Sequence, residues 1–327
     1  MRGTQIASVG AAVPDQVLDN AQLASDFGVS EDWIVERCGI QTRRIASAEE
    51  TVVSLGALAA FRALTAAGVS AADVDLLICA TISAERRFPA AACEIASLLD
   101  CDAPAYDVNA GCSGFLFGLA QGAAAISAGS AARVLVVGSD VLSRFIDPQD
   151  AGTAILFGDG AGAALLEVSD VDALGPFVLR SDGSRSELLY QDERGLISMR
   201  GREVYRWAVE GMTSAVTDLL DSYGPAAADV DLVVAHQANQ RIIDAVGERL
   251  GLRPEQVYSN IARYGNTSAG SIPLALVDAV EEGRLRVGDS VVLTAFGAGF
   301  CWGATSLRWC APAGRPEATV TKVNAGV

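Results

Sequence analysis

The sequence predicts an α/β protein made of two related halves, and three observations carry that expectation. The segment AADVDL occurs at residues 71–76 and again at 227–232, an offset of 156. The apolar runs VLVVGSD at 134–140 and VVLTAFG at 291–297 lie 157 apart, each after a helical pattern that ends near a glycine, Gly129 or Gly283. Short Val/Ile/Leu runs, the pattern of strands buried on both faces, alternate with helical stretches throughout. An offset this long does not suit a solenoid, whose repeats run about 20–50 residues, and an internal duplication accounts for it economically.

The elements follow in order. SLGALAAFRALTAAG (54–68) and GFLFGLAQGAAAISAG (114–129) read as helices, and LLICA and DLVVA as strands that follow the two AADVDL copies. A chain of 327 residues makes two units at about 150 residues per domain. We expect one half over 1–170, a second over 171–310, and a loosely ordered tail over 311–327, where APAGRPEATVTKVNAGV has turn formers and no amphipathic pattern.

Composition excludes several classes of function. Half of the residues are hydrophobic, so the chain can bury large cores; 33 glycines and only 6% aromatics favour close-packed helices on sheets over a base-stacking surface. A formal charge of -16 repels nucleic acid and anionic membranes, so an acidic partner must be met by a local basic patch. The first twenty residues lack a signal-peptide pattern, and no apolar run reaches the roughly 18–20 residues of a membrane span, so a soluble, cytoplasmic protein is expected. Seven cysteines, an odd number with no C-x-x-C pair, suggest reduced thiols and no metal site. His236 is the only histidine, which excludes any mechanism that needs two.

Four segments carry chemistry. In NAGCSGF (109–115) small residues flank Cys112 immediately before an apolar helix, a context that favours a thiolate at a helix N-terminus. In HQANQR, His236 follows a strand at its carboxyl end, where ligands and catalysis collect in α/β sheets. Asn266 lies in RYGNTSAGS, which by itself reads as an ordinary turn. FGAGFCWG (296–303) follows a strand, and its glycines can bring a backbone N–H close to a substrate oxygen. A phosphate-binding reading is weaker, because no P-loop lysine and no G-x-G-x-x-G after a first strand is present.

Together with SEDWIVERCGIQTRRIA (30–46) and FGDGAGAALLE (157–167), these motifs resemble ketoacyl-ACP synthase III of the thiolase superfamily over roughly residues 5–309. The resemblance implies a thiolase-like fold of duplicated halves in five α-β-α-β-α layers, acting as a homodimer without metal or redox cofactor. It implies that an acyl primer is carried on Cys112, with the backbone N–H groups of Cys112 and Ala298 as oxyanion hole. His236 and Asn266 would then bind the carbonyl of malonyl-ACP during a decarboxylative condensation that starts a fatty-acid or polyketide chain. It further implies nucleotide and pantetheine contacts at Trp33 and Arg37, a pantetheine tunnel at Ala238 and Asn239, and a Phe88 that reaches into the partner's acyl pocket. Arg206, Arg241 and Arg249 match a basic surface for the acyl carrier protein.

The pattern departs in places. Fatty-acid members usually place an arginine at the position of Ala151, where it clamps adenine against the tryptophan; the segment 181–206 is shorter than usual, and FGAG replaces FGGG. These departures make a carrier-bound donor plausible. The rival readings are an acyltransferase of specialised metabolism, which moves the Cys112-bound acyl group to a hydroxyl, amine or β-ketoacyl nucleophile, and a non-catalytic partner subunit, which the intact Cys-His-Asn set opposes.

Overall fold

The computed structural model describes residues 2–310 apart from Pro225, so the expected tail over 311–327 lies outside the described residues. Ten strands form two five-stranded sheets. They are β1 (Gly3–Ala12), β2 (Leu76–Ala80), β3 (Ala105–Val108), β4 (Arg133–Val141), β5 (Asp159–Ser169), β6 (Leu174–Ser181), β7 (Leu232–Ala235), β8 (Val257–Tyr258), β9 (Ser290–Gly297) and β10 (Cys301–Arg308). The first sheet has the order β1-β5-β4-β2-β3 and the second β6-β10-β9-β7-β8. Within each sheet the first two pairings are antiparallel and the last two parallel. Adding five to every strand number converts one order into the other.

The helices repeat in the same way: α1 (Val52–Ala67), α2 (Ala91–Leu98) and α3 (Gly114–Ser127) in the first sheet's segment, then α4 (Gly201–Tyr223), α5 (Gln240–Arg249) and α6 (Ser271–Glu281) in the second's. Both AADVDL copies open with a single helical turn, Ala71–Asp73 and Ala227–Asp229, before their strands. Both central helices stop at a left-handed glycine, Gly129 at φ 76° and Gly283 at φ 68°, a conformation that costs glycine nothing.

Five layers result from strand alternation. In β4, Val134 and Val136 pack into a central core with Phe115, Leu116 and Leu119 of α3 and Ile272, Leu276 and Ala279 of α6. Leu135 and Val137 of the same strand face the opposite way, onto α1 and α2. In β9, Val291 and Leu293 face the central helices while Val292 faces α4. Strands buried on both faces must be apolar at consecutive positions, which is why these runs show no period of two.

The central helices set the position of the site. Strand β3 leads through residues 109–113 into α3, β7 ends directly before His236, β9 ends at Gly297, and residues 266–270 lead into α6. Three of these segments follow the carboxyl ends of parallel strands, and residues 266–270 meet them there at one cavity.

Candidate active site

A cavity of about 730 Å³ opens at this convergence, and Cys112, His236, Asn266 and Ala298 all line it. Trp33, Arg37, Ala238, Asn239 and Arg241 line it as well, so most of the residues singled out in the sequence share one space. Its apolar wall includes Ile82, Leu142, Phe157, Leu189, Ala208 and Met212.

Two backbone turns meet at Cys112. Gly111, at φ 58°, has no room for a side chain: a Cβ there would lie 2.5 Å from the Ala298 nitrogen. A Cβ on Gly297 would lie 2.5 Å from the Cys112 nitrogen. Glycine at both positions lets the Ala298 nitrogen close on Gly111 and the Cys112 nitrogen close on Gly297, and Ala298 begins a helical turn, where an N–H has no partner inside the turn.

The thiol itself is buried and 8% exposed. Burial pushes it up to about 12; the nearby Ser268 hydroxyl opposes that, and the Asp140 carboxylate adds to it. The sequence context pointed to a depressed pKa, and the structure reverses the sign. The start of α3, two residues on, favours an anion, but loss of solvent around a small thiolate outweighs it.

His236 is 2% exposed, and burial pulls its imidazole down to about 3, so it is neutral around neutral pH. Its tautomer follows from its neighbours. Nδ1 lies 2.7 Å from Ser271 Oγ, at the start of α6. The same oxygen accepts from the Gln237 N–H at 3.4 Å, and among the described residues the hydroxyl has no acceptor other than Nδ1, so its proton is donated there. A neutral imidazole that accepts at Nδ1 carries its proton on Nε2. His236 is thus a neutral hydrogen-bond donor.

Asn266 is fixed as firmly. Its backbone N–H donates to Leu156 O at 2.8 Å and its carbonyl accepts from the Gly158 N–H at 3.0 Å, which stitches it to the first half beside Phe157. Its Oδ1 accepts from the Ser268 N–H at 2.9 Å. With the oxygen engaged, the amide NH₂ is the end left to donate. The site therefore presents four neutral donors, two from backbone and two from side chains, with no metal-binding cluster among the described residues.

At the mouth, Trp33 and Arg37 share a helix, and the Arg37 guanidinium covers the indole at 4.1 Å. Asn239 ties that helix to α5, since its Oδ1 caps the Arg241 N–H while its amide donates to Arg37 O at 3.1 Å. Ala151 follows Asp150 at the rim. Arg206 and Arg249 stand outside the cavity: Arg206 is exposed on α4 over Trp207, and Arg249 is eight residues beyond Arg241 on α5, about 12 Å away. Phe88 lies outside this chain's cavity and is 84% exposed, unusual for so large an apolar side chain. Sequence reasoning missed Ser271, Ser268, Asp140 and the mouth residue Arg202; an aspartate inside the apolar run VLVVGSD was the available signal for Asp140.

The 3-oxoacyl-[acyl-carrier-protein (ACP)] synthase III family model matches residues 106–183, and the model of its C-terminal region matches 220–309. A beta-ketoacyl-[acyl-carrier-protein] synthase III from Shewanella oneidensis is 42% identical over 317 residues, covering 94% of this chain and 99% of the relative. The chain belongs to the 3-oxoacyl-ACP synthase III family. Among solved structures, the synthase III of Aquifex aeolicus superposes with a TM-score of 0.92 at 41% identity, covering 94% of this chain and all of that one. The priming β-ketosynthase of the R1128 polyketide pathway superposes at 0.91 with 35% identity, covering 95% and 97%. As a synthase III of thiolase-like fold, the chain is a condensing transferase that joins an acyl primer at the start of a fatty-acid or polyketide chain.

The tautomer argument gives a direct test. Ser271→Ala removes the donor to Nδ1 and lets the proton redistribute, so decarboxylation of malonyl-carrier falls on the order of tenfold, the worth of one neutral hydrogen bond. Because the folded-state imidazole is depressed to about 3, the wild-type rate shows no histidine-dependent loss as pH falls through 6.5. A histidine-dependent inflection near 6.5 in the wild type, or an unchanged rate in Ser271→Ala, contradicts the assignment.

Proposed function

We propose that Cys112 carries the primer as a thioester, that the Cys112 and Ala298 N–H groups bind its oxyanion, and that His236 and Asn266 bind the malonyl thioester carbonyl. The observation that carries this reading is the neutrality of the two side-chain donors. Loss of CO₂ leaves an enolate, and a neutral Nε2–H and an amide NH₂, already oriented by Ser271 and Ser268, stabilise that charge without reorganising. A protonated histidine would instead pair with the malonyl carboxylate and hold it in place. The reading needs no cofactor.

The acyl carrier protein is the partner this family's name specifies, and the mouth has the charges to receive it. Arg37, Arg202, Arg206, Arg241 and Arg249 make no ion pair among the described residues. Arg37, Arg202 and Arg241 line the opening itself, and on a protein of net charge -16 these cations form the local exception that an acidic partner needs. We read the chain as halves 1–170 and 171–310 acting in a homodimer, in which the exposed Phe88 meets the partner's acyl pocket. No described helix is long and apolar enough to cross a membrane, in keeping with a cytoplasmic enzyme.

Two experiments follow. Cys112→Ala abolishes acyl-enzyme formation by intact mass, whereas His236→Ala and Asn266→Ala keep acylation and lose about 10²–10³-fold in decarboxylation, the typical cost of one such donor. A variant of either donor that decarboxylates at the wild-type rate removes that residue from the mechanism. At the mouth, Arg37 already occupies one face of Trp33 and Ala151 offers no second cation. An arginine stacked on a purine contributes on the order of 1 kcal/mol, so Ala151→Arg raises kcat/KM for acyl-CoA loading roughly fivefold and leaves acyl-pantetheine unchanged. A strong wild-type preference for acyl-CoA over acyl-pantetheine that Ala151→Arg does not alter would show nucleotide recognition elsewhere.

A further inference from the structure

The proton on Cys112 must leave when the sulfur attacks, and the residues assigned above do not take it. His236 has no free lone pair: Nδ1 accepts from Ser271 and Nε2 carries its own proton. Asn266 is an amide whose oxygen is already engaged. A group able to accept a proton lies behind the thiol, in the first half.

Asp140 is the penultimate residue of β4 and is completely buried. Its Oδ1 accepts from Thr81 Oγ1 at 3.0 Å, the Ile82 N–H at 2.9 Å and Ser83 Oγ at 2.7 Å. Its Oδ2 accepts only from the Ala269 N–H, at 3.2 Å, so one oxygen is crowded and the other retains capacity. All four donors are neutral, and no cation balances the charge among these contacts. The titratable side chains that face it are the thiols of Cys112 and Cys79, and burial holds Cys79 protonated.

Ser268 stands between the carboxylate and the nucleophile. It is fully buried, and its hydroxyl is beside both the Cys112 thiol and Asp140 while making no fully formed hydrogen bond. Its backbone sits at φ 52°, a strained position for a residue with a Cβ. An unpartnered buried hydroxyl on a strained turn between a nucleophile and a carboxylate is costly to keep, and strain of this kind collects at functional sites.

We propose that Ser268 and Asp140 are the route by which Cys112 gives up its proton: the Sγ–H proton passes to Ser268 Oγ as the serine's own proton passes to Asp140 Oδ2. As Sγ bonds to the primer's carbonyl carbon, the bond from that carbon to the donor's sulfur breaks. The departing thiolate recovers the proton along the reverse path, so Asp140 ends ionised and no proton is gained or lost overall. Ser268 stands next to the reacting sulfur, and Asp140 acts through it. Burial raises the carboxylate, so Asp140 holds a proton more readily than an exposed aspartate does. The route rests on the reading of Cys112 as the nucleophile.

The test is single-turnover acylation of Cys112 by an acyl thioester, followed by intact mass across a range of pH, in wild type, Asp140→Asn and Ser268→Gly. Glycine accepts the backbone angle at 268, so that variant removes only the hydroxyl and carries the test if Asp140→Asn fails to fold. With the route intact, acylation is nearly independent of pH around neutrality. Both variants slow it about 10²–10⁴-fold, the usual contribution of positioned proton transfer, and their rates rise tenfold per pH unit because only the rare thiolate then reacts. A merely structural role for Asp140 would not change that slope. Acylation at wild-type rate and slope in either folded variant overturns the route, whereas uptake of the acyl group by Cys112→Ala overturns the reading of the nucleophile itself.

Discussion

Two backbone turns, one from each half, approach at the base of the cavity more closely than any side chain would allow. Gly111 and Gly297 permit this contact, and the nucleophile's geometry depends on it. Cys112 and Ala298 become neighbours only because the turn after β3 and the turn after β9 interlock. That in turn requires α3 and α6 to lie together in the central layer, with both sheets packed on them. A methyl group at either glycine would push one half away from the other and separate the two N–H groups. The duplicated architecture thus does more than bury hydrophobic surface; it sets two independent turns against each other, as the proposed oxyanion hole requires.

The second constraint is electrostatic. The cavity floor excludes water so thoroughly that charged forms are suppressed: the thiol is raised to about 12 and the imidazole lowered to about 3. At rest the thiol and the imidazole are both neutral. In the proposed mechanism, charge develops first on the oxyanion and later on the enolate, and fixed neutral donors stabilise each more effectively in a dry site than in water. The cost is that the thiol needs help to ionise, which gives the carboxylate buried behind it a purpose.

Much of this was legible in the sequence, for physical reasons that also mark the limits. The duplication showed in AADVDL because both copies form the same turn before a strand buried on both faces. The helix starts and strand ends around Cys112, His236 and Ala298 were readable because glycine and apolar runs punctuate them. The thiol's pKa was not, since helix proximity is a local signal whereas burial depends on what the other half brings. Ser271 and Ser268 were invisible for a related reason: a serine in a turn is ordinary, and only the fold sets one against His236 and the other between Cys112 and Asp140. Arg206, Arg241 and Arg249 were grouped on resemblance, yet only Arg241 lines the mouth, where Arg37 and Arg202 join it.

A neutral donor pair, a buried thiol and three mouth arginines without an ion pair among the described residues are all explained by one reaction, and that reaction differs from simple acyl transfer in releasing CO₂. The decisive measurement therefore starts from Cys112 acylated to completion and adds malonyl-carrier, with CO₂ and product quantified together. The account predicts one CO₂ and one β-ketoacyl-carrier for each acyl group lost from Cys112. Loss of the acyl group to an added alcohol or amine, with malonyl-carrier left intact, would contradict it.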